Sequence, residues 1–500
     1  MKNLKKINIH SLNVITNVLQ QIVVVVTGII IPKIILIYFG SEVNGLVSSI
    51  NQFLSYITLI EGGVSSVILA SLYKPIIDKD ENKISSVLKT STRFYRKIGC
   101  IYIVYSLSVG LIYPIITNTG FGYRYILSLT IILACGMLIQ YMLSISLRNL
   151  LMADNKVYIV SLSQIIVSLL NLALIVLSLI IFPNIHFLKF MTVIAYLSQP
   201  IIYSLYIKRH YRIDSKVEVD NELLKNRWSG FAINIAAFVH SSTDVVILTF
   251  FTDLKTVSIY SVYILVTNGL KCIISALSNA ISPIIGLAYA SGDETDLLKK
   301  MRIYEMIVNL SVCGLFSIAA LLLVPFVELY TKGISDVNYI QPAFGVLMLL
   351  GDAIYLLKSS HTALAYSANR FKEITIPCYI EAIINISVSL VLVRRFGLMG
   401  VATGTVCAMI YRFVYQVAYT RRISESYSIR SYYQNLIITV IFALLGIVVC
   451  KFGLPPCNGT VYSWIWHGGV YSVIVYACLV MGMLLFEKND FKNTLKFFTK

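Results

Sequence analysis

The chain has 500 residues, of which 57% are hydrophobic and only 13% are charged. This composition leaves too few polar side chains to cover two or three soluble domains, so a purely water-soluble protein is excluded and a membrane protein is indicated. A net charge of +17 could indicate nucleic-acid binding, but the distribution of the basic residues favours a different explanation.

Apolar stretches of about 20 residues, the length that crosses about 30 Å of hydrocarbon, recur from one end of the chain to the other. The pattern predicts an all-α membrane protein with about fourteen transmembrane helices. In chain order these spans are 13–38, 45–72, 98–116, 125–147, 157–182, 190–207, 228–251, 257–289, 303–330, 340–366, 374–393, 397–419, 432–449 and 461–486.

The Lys and Arg residues determine the predicted orientation. With the N-terminus inside, 30 of the 41 lie on the cytoplasmic side, 7 lie outside and 4 lie within spans, as the positive-inside rule expects. Both termini are therefore predicted to be cytoplasmic, and the basicity indicates topology rather than a nucleic-acid partner. The adjacent pair Arg394 and Arg395 falls on the external side, so the hairpin between spans 11 and 12 fits the rule least well.

An internal repeat connects the two halves of the chain. The segment ADNKVYIVSLSQIIVSLLNLAL, from Ala153, matches SANRFKEITIPCYIEAIINISV, from Ser367, at an offset of 214 residues. Spans 1–6 and 7–12 are therefore predicted to be two copies of one six-helix unit in the same orientation, a transporter design with substrate between the halves. The predicted domains are an N-lobe (1–207), a cytoplasmic linker (208–227), a C-lobe (228–420), spans 13 and 14 (421–486) and a cytoplasmic tail (487–500).

Eight ionisable side chains are predicted to lie inside spans, where each costs about 2.5 kcal/mol or more without a partner or a wet cavity. Four of them lie at nearly matching depths on the first two helices of each repeat and are predicted to line a central cavity. There a lysine attracts a pyrophosphate, and a carboxylate can exchange a proton or hold Na⁺. These four are Lys33, Glu61, Asp244 and Lys271.

Structural explanations compete for the other four. Arg412 and Glu381 could form a buried pair or reach the interface instead of binding substrate, and Asp352 and Lys358 could neutralise one another. His240 and His361 could titrate, although a lone histidine in a span is more often packed and hydrogen-bonded.

Motifs for catalysis or cofactor binding do not appear in the sequence. It contains no GK[ST] phosphate loop, no metal-ligand cluster and no Ser/His/Asp arrangement. The nine cysteines fall mostly inside spans and are interpreted as packing residues. No cofactor beyond a coupling H⁺ or Na⁺ is expected, and the protein is not expected to be an enzyme.

Three segments carry a resemblance to a known family: the hairpin TGIIIPKIILIYFGSEVNGLVSSINQFLSYITLIEGGVSSVILASLYKPI, the two ADNK and ANRF turns, and FGLMGVATGTV at 396–406. With them the whole chain resembles the polysaccharide repeat-unit flippases (O-antigen or capsule type) of the multidrug/oligosaccharidyl-lipid/polysaccharide exporter superfamily. The resemblance implies two six-helix lobes forming a V, a cationic central cavity and alternating access coupled to H⁺ or Na⁺. In the related lipid II flippases, two additional C-terminal helices form a groove for the polyprenyl tail.

These features predict a flippase of the bacterial cytoplasmic membrane that moves undecaprenyl-pyrophosphate-linked oligosaccharides outward for surface polysaccharide biosynthesis. The expected partners are this lipid-linked substrate, membrane lipids, and the polymerase and glycosyltransferases of the same pathway. The candidate substrate-binding residues are Lys33, Lys271, Lys358 and Arg412, and the candidate ion-coupling residues are Glu61, Asp244, Asp352 and Glu381.

Two alternatives remain open at this point. A multidrug/ion antiporter of the same superfamily usually has twelve spans and an acidic cavity for cationic drugs, whereas this chain has an additional pair of spans and cavity lysines. A membrane polysaccharide polymerase or ligase is disfavoured because the external connections are only about 5 to 12 residues long.

Overall fold

The computed structural model describes residues 9–61, 64–117, 120–214, 216–220 and 242–499, and within these ranges it contains helices and no strand. In chain order the helices are α1 (Ile9–Ser55), α2 (Thr58–Glu61), α3 (Val64–Ile77), α4 (Glu81–Ile116), α5 (Tyr123–Ile139), α6 (Ile145–Ala153), α7 (Val157–Ile181), α8 (Ile185–His210), α9 (Ser242–Phe251), α10 (Leu254–Ala290), α11 (Glu294–Tyr330), α12 (Pro342–Leu357), α13 (Ser359–Ser367), α14 (Phe371–Phe396), α15 (Leu398–Ile423), α16 (Ile429–Gly453), α17 (Val461–Phe486) and α18 (Lys488–Thr499). A short π-helix, Gln140–Ser144, joins α5 to α6.

Twelve helices in the described part of the chain are long and apolar enough to cross a membrane. The first, Leu12–Glu61, contains predicted span 1 and the first part of span 2. It bends at Gly40, whose φ of 78° and ψ of 176° are essentially restricted to glycine. Predicted span 7 is represented by α9, and the rest of that span lies outside the described residues. Every other predicted span coincides with a long helix, so the predicted all-α membrane fold class is confirmed for the described residues.

Large apolar side chains cover much of the outer surface of the helices. Ile180, Leu287 and Val391 are each more than 70% exposed, and many other Leu, Ile and Val side chains are exposed in the same way. A soluble protein rarely exposes apolar surface on this scale. The surface is therefore suited to contact with lipid tails.

The helices pack into two compact units, Met1–Phe238 and Val239–Lys500. In unit 1 the most extensive contacts join α7 with α8, α1 with α7, and α4 with α5. In unit 2 they join α14 with α15, α16 with α17, and α12 with α15. The finer domain boundaries, including a separate domain for spans 13 and 14, stay predictions.

Local structure repeats between the two units at the spacing that the sequence predicted. Helix α6 runs from Ile145 to Ala153, and α13 runs from Ser359 to Ser367, 214 positions later. Each helix ends in a turn whose asparagine, Asn155 or Asn369, is left-handed, with φ of 55° and 56°. Asparagine tolerates this conformation better than other side chains. The ADNK and ANRF turns are therefore structurally equivalent.

A second turn repeats as well. Lys79 (φ 54°) and Gly292 (φ 74°) are left-handed residues at the ends of α3 and α10. The next residue in each case, Asp80 or Asp293, caps the following helix with its carboxylate, which satisfies free backbone N–H groups. The two acidic loops thus form the same helix-to-helix connection in both units.

The hairpin that contains Arg394 and Arg395 is formed by α14 and α15, with the turn at Gly397 (φ 51°). The two helices approach closely because of two glycines on α15. A Cβ added at Gly400 would lie 2.5 Å from the carbonyl carbon of Leu392, and one at Gly404 would lie 2.1 Å from Ser389 Oγ. The FGLMGVATGTV segment therefore encodes a close helix contact between small residues.

The C-terminal elements pack on α11. Helices α16 and α17 contact each other and α11, and α18 contacts α11 and α17. Arg302 of α11 pairs with Asp490 of α18 at 3.0 Å and donates a hydrogen bond to Ser431 of α16. The predicted tail thus contains a helix that is held against the membrane-spanning part.

Candidate substrate and coupling sites

The eight predicted intramembrane charges divide between the two units. Lys33 and Glu61 belong to unit 1, and the other six belong to unit 2. The central cavity predicted from Lys33, Glu61, Asp244 and Lys271 stays a prediction, and the charges are described within their own units.

Asp244 lies in α9 and is 7% exposed. Its Oδ2 accepts hydrogen bonds from the Tyr260 hydroxyl of α10 at 3.1 Å and from Thr405 Oγ1 of α15 at 3.2 Å. Asn385 of α14 donates to the same Thr405 hydroxyl at 2.9 Å. Asp244 Oδ1 is buried and has no hydrogen-bond partner among the described residues. The carboxylate is therefore positioned by three helices with one oxygen left unsatisfied.

Lys271 and Asp352 form an ion pair beside Asp244. The Lys271 ammonium on α10 lies 3.1 Å from Asp352 Oδ1 on α12, and the two side chains are 28% and 9% exposed. Both charges interact electrostatically with Asp244. The three residues are called here the acidic cluster, since two carboxylates share one lysine.

A second group, called here the cationic cluster, consists of Lys358, Glu381 and Arg412. Arg412 Nε of α15 lies 3.5 Å from Glu381 Oε2 of α14, with exposures of only 3% and 7%. Arg412 also donates to the Ile374 carbonyl at 3.0 Å. Lys358 is close enough for its charge to interact with both partners. Two cations against one carboxylate leave this group with one net positive charge.

Lys358 occupies a break in the helix that forms predicted span 10. It separates α12 from α13 and has φ of −79° and ψ of −2°. Its ammonium lies 3.8 Å from the centre of the Tyr355 ring, a cation–π contact. The π-helix of unit 1 ends at Ser144, 214 positions earlier, so both repeats interrupt the same helix at the same place. Such interruptions often mark functional sites.

Glu61 lies in unit 1 in the four-residue helix α2, and a turn at Tyr56 and Ile57 separates this helix from α1. Ser65 Oγ donates to Glu61 Oε1 at 2.8 Å, and the Tyr95 hydroxyl lies 3.4 Å from the same oxygen. Tyr141, which is part of the π-helix, donates to Oε2 at 3.5 Å. Lys33 lies half-buried in α1, directly after Pro32. Hydroxyl groups thus surround Glu61 from three helices.

The structure decides between the pairings that the sequence left open. Arg412 and Glu381 form the buried pair that was one of the two alternatives. The ion pair of Asp352 is with Lys271, so the suggested pairing of Asp352 with Lys358 is wrong. Helix packing explains this result, because α10 and α12 are neighbours although Lys271 and Asp352 are distant in sequence. His361 is packed, fully buried and hydrogen-bonded to Thr420 at 3.1 Å, whereas His240 lies outside the described residues.

Sequence reasoning missed two buried charges. Glu305 of α11 is 3% exposed and accepts a hydrogen bond from the Tyr427 hydroxyl at 2.7 Å. Hydropathy placed it at the edge of span 9, but α11 begins at Glu294. Lys189 falls just before the predicted span 190–207, yet it is 8% exposed within α8, which begins at Ile185. Both residues would have been recognised if the predicted spans had been extended to the true starts of α8 and α11. No cluster of metal-binding side chains occurs in the described residues.

No protein-family model matches the chain, and no curated protein matches its sequence. Solved structures match its fold. An inward-facing MATE family multidrug resistance transporter of the MOP superfamily has a TM-score of 0.63 at 15% identity and covers 82% of this chain and 96% of its own. The MATE multidrug transporter DinF-BH, solved as a ligand complex, gives 0.61 at 17% identity, covering 83% and 95%. The chain therefore has the fold of these membrane transporters.

A further solved structure matches nearly the entire chain. The lipid II flippase MurJ, in an inward closed conformation, has a TM-score of 0.73 at 14% identity and covers 96% of this chain and 99% of its own. The chain therefore shares its fold with this flippase as well as with the MATE transporters.

Proposed function

We propose that the protein is a flippase that moves undecaprenyl-pyrophosphate-linked oligosaccharide repeat units from the cytoplasmic to the outer leaflet by ion-coupled alternating access. The observation that carries the proposal is the extent of the fold match. The lipid II flippase covers 96% of the chain, whereas the MATE transporters described above cover 82% and 83%. An antiporter with twelve helices has fewer spans than the about fourteen predicted here, whereas a flippase with two additional helices has a matching number.

The cationic cluster supports an anionic substrate. Among the described residues, Glu381 is the carboxylate that Lys358 and Arg412 share, and Arg412 also donates to the Ile374 carbonyl. Lys358, whose described contact is a tyrosine ring, is therefore the cation most available to a pyrophosphate. An ammonium in a low-dielectric environment attracts a phosphate much more strongly than it does in water. Lys358 is accordingly assigned the main role in substrate binding, and Arg412 a supporting one.

The acidic cluster supports ion coupling. Asp244 and Asp352 compete for one lysine, and an unsatisfied oxygen on Asp244 is costly while the carboxylate is ionised. A bound proton or Na⁺ removes that cost. Protonation of Asp352 would also release Lys271 from its ion pair, so ion binding and exposure of a cation to substrate are linked. In unit 1, the hydroxyl groups around Glu61 suit a second ion-binding carboxylate.

The test is replacement of single lysines, with surface polysaccharide measured at equal protein level in the native host. Lys358→Met and Lys271→Ala are expected to reduce surface polysaccharide strongly, and Lys33→Ala tests the predicted role of unit 1. Lys299→Ala removes an exposed lysine of α11 and is the matched control, expected to behave as wild type. Normal polysaccharide in Lys358→Met would contradict the assignment of the cation site.

The second candidate, a multidrug/ion antiporter, is favoured by the MATE fold match and by the excess of carboxylates in the acidic cluster. It predicts that the protein protects cells against cationic dyes and that Asp244→Asn abolishes this protection. Protection by the wild-type protein, with no effect on surface polysaccharide when the gene is deleted, would favour the antiporter.

A further inference from the structure

A groove in unit 1 is formed by α4 on one side and by the segment after α8 on the other. It encloses about 1000 Å³, with Ile213, Asp214 and Val219 on the side opposite α4. Hydrogen bonds hold that segment in place: Lys89 Nζ donates to the Val217 carbonyl at 2.7 Å, and Ser86 Oγ donates to the Glu218 carbonyl at 2.8 Å. The groove therefore has two fixed walls.

The α4 wall carries a row of cations. Lys89, Arg93, Arg96 and Lys97 all line the groove, and their spacing of four, three and one residues places them on one helix face. The Lys89 ammonium donates to the Val217 carbonyl of the opposite wall. Arg93, Arg96 and Lys97 are exposed, and no described residue forms an ion pair or a hydrogen bond with their side chains. Asp214 is the one carboxylate among the lining residues. The lining thus contains four cations and one carboxylate, and the segment opposite α4 also carries Glu218 and Asp220, whose backbone is hydrogen-bonded to α4.

The same face becomes apolar further along α4. Cys100 and Ile101 complete the lining, and Ile101 and Val104 are 48% and 66% exposed. A helix of 36 residues is about 54 Å long, which exceeds the roughly 30 Å of hydrocarbon in a bilayer. The polar first half of α4 therefore lies outside the hydrocarbon, and the cations lie where the helix enters it.

A second cavity adjoins the groove at Arg96. It encloses about 440 Å³ and shares Thr92 and Arg96 with the groove, and its other walls include Leu143, Leu197 and Ile201. Arg96 thus lies between the cationic groove and a second cavity with a mainly apolar lining. This arrangement matches a molecule with one anionic head and two apolar chains.

We propose that this site binds an anionic phospholipid of the leaflet at that end of α4, predicted to be the cytoplasmic one. The phosphate is held by Arg93, Arg96 and Lys97, one acyl chain lies along Cys100 and Ile101, and the other enters the cavity beside Arg96. Charge complementarity favours an anionic lipid, and the apolar continuation favours a lipid over a soluble phosphate. The site is independent of the transported substrate.

The test measures lipid binding by the purified, delipidated full-length protein. Native mass spectrometry monitors binding as phosphatidylglycerol, or phosphatidylcholine with the same acyl chains, is added. The triple variant Arg93→Gln, Arg96→Gln, Lys97→Gln is expected to lose about a hundredfold in phosphatidylglycerol affinity, and Arg96→Gln alone about fivefold. The control triple Arg421→Gln, Arg422→Gln, Arg430→Gln removes equal charge from exposed positions of unit 2, away from the groove, and is expected to bind like wild type.

Three outcomes would overturn the proposal. They are equal affinity of the wild type for both lipids, an equal loss in the control triple, and displacement of the lipid by millimolar inorganic phosphate, which would assign the cations to a soluble anion. Circular dichroism checks that the variants are folded. If the triple variant is not, the single variant Arg96→Gln decides.

Discussion

The buried pair of Arg412 and Glu381 allows a test of whether these charges act structurally. With side-chain exposures of 3% and 7%, removal of either partner leaves a charge without its counter-ion inside the protein, which costs about 3–5 kcal/mol. The costs are expected to differ. Glu381→Met leaves Arg412 next to the cation Lys358, whereas Arg412→Met leaves Glu381 with Lys358 as a remaining opposite charge. Glu381→Met should therefore be the more destabilising of the two.

The double variant Glu381→Met, Arg412→Met removes both charges and is expected to be more stable than Glu381→Met alone, because apolar side chains often replace a buried pair at little cost. The assay is thermal unfolding in detergent, monitored with a fluorophore that reacts with thiols exposed by unfolding, such as the buried Cys313 of α11 and Cys450 of α16. Arg421→Met, at the exposed end of α15, which also carries Arg412, is the control and should unfold like wild type. Additive losses in the two single variants and the double variant would refute the pairing.

Three further predictions follow from the packing and the acidic cluster. Gly404→Val should destabilise the protein by about 1–3 kcal/mol, because its Cβ would lie 2.9 Å from the Asn385 carbonyl oxygen. Gly469→Ala is the control: nothing lies within 4 Å of the added atom, so the unfolding midpoint should stay unchanged. Asn369→Ala should lower the free energy of unfolding by about 1 kcal/mol, because alanine is disfavoured at the left-handed φ of 56°. Asn369→Gly should leave it nearly unchanged. Equal unfolding midpoints for the two variants would show that the left-handed turn is not required. Asp244→Asn should make transport in proteoliposomes independent of an imposed pH or Na⁺ gradient while substrate still binds, and an unchanged gradient dependence would remove Asp244 from the coupling role.

Hydropathy and repetition predicted most of the fold. Transmembrane spans are recognisable because each needs a long apolar run, and the repeat was visible because Asn155 and Asn369 are required at left-handed turns. The hairpin at Arg394 and Arg395 forms despite its charges, because Gly397 supplies the turn and Arg394 lies over the Phe251 ring. Local chemistry was sufficient for these features.

The partners of the buried charges were harder to predict. Which carboxylate meets Lys271 depends on how α10 and α12 are rotated and packed, and spacing along one helix contains no information about a neighbouring helix. The π-helix that presents Tyr141 to Glu61 and the break at Lys358 also lack a simple sequence signal. Glu305 and Lys189 were missed for a related reason, since membrane-spanning helices continue beyond their most apolar windows. Predicting the partners of the buried charges therefore required knowledge of helix packing, which hydropathy does not contain.

The most direct test of the proposed function is translocation by the purified protein in liposomes. A fluorescent undecaprenyl-pyrophosphate-linked oligosaccharide is incorporated into both leaflets, and its accessibility to an impermeant quencher is followed after an ion gradient is imposed. The proposal predicts gradient-dependent redistribution between the leaflets that is absent from protein-free liposomes and strongly reduced in Lys358→Met, with Lys299→Ala behaving as wild type. Redistribution no faster than in protein-free liposomes, from protein that transports a cationic dye under the same gradient, would contradict the flippase proposal.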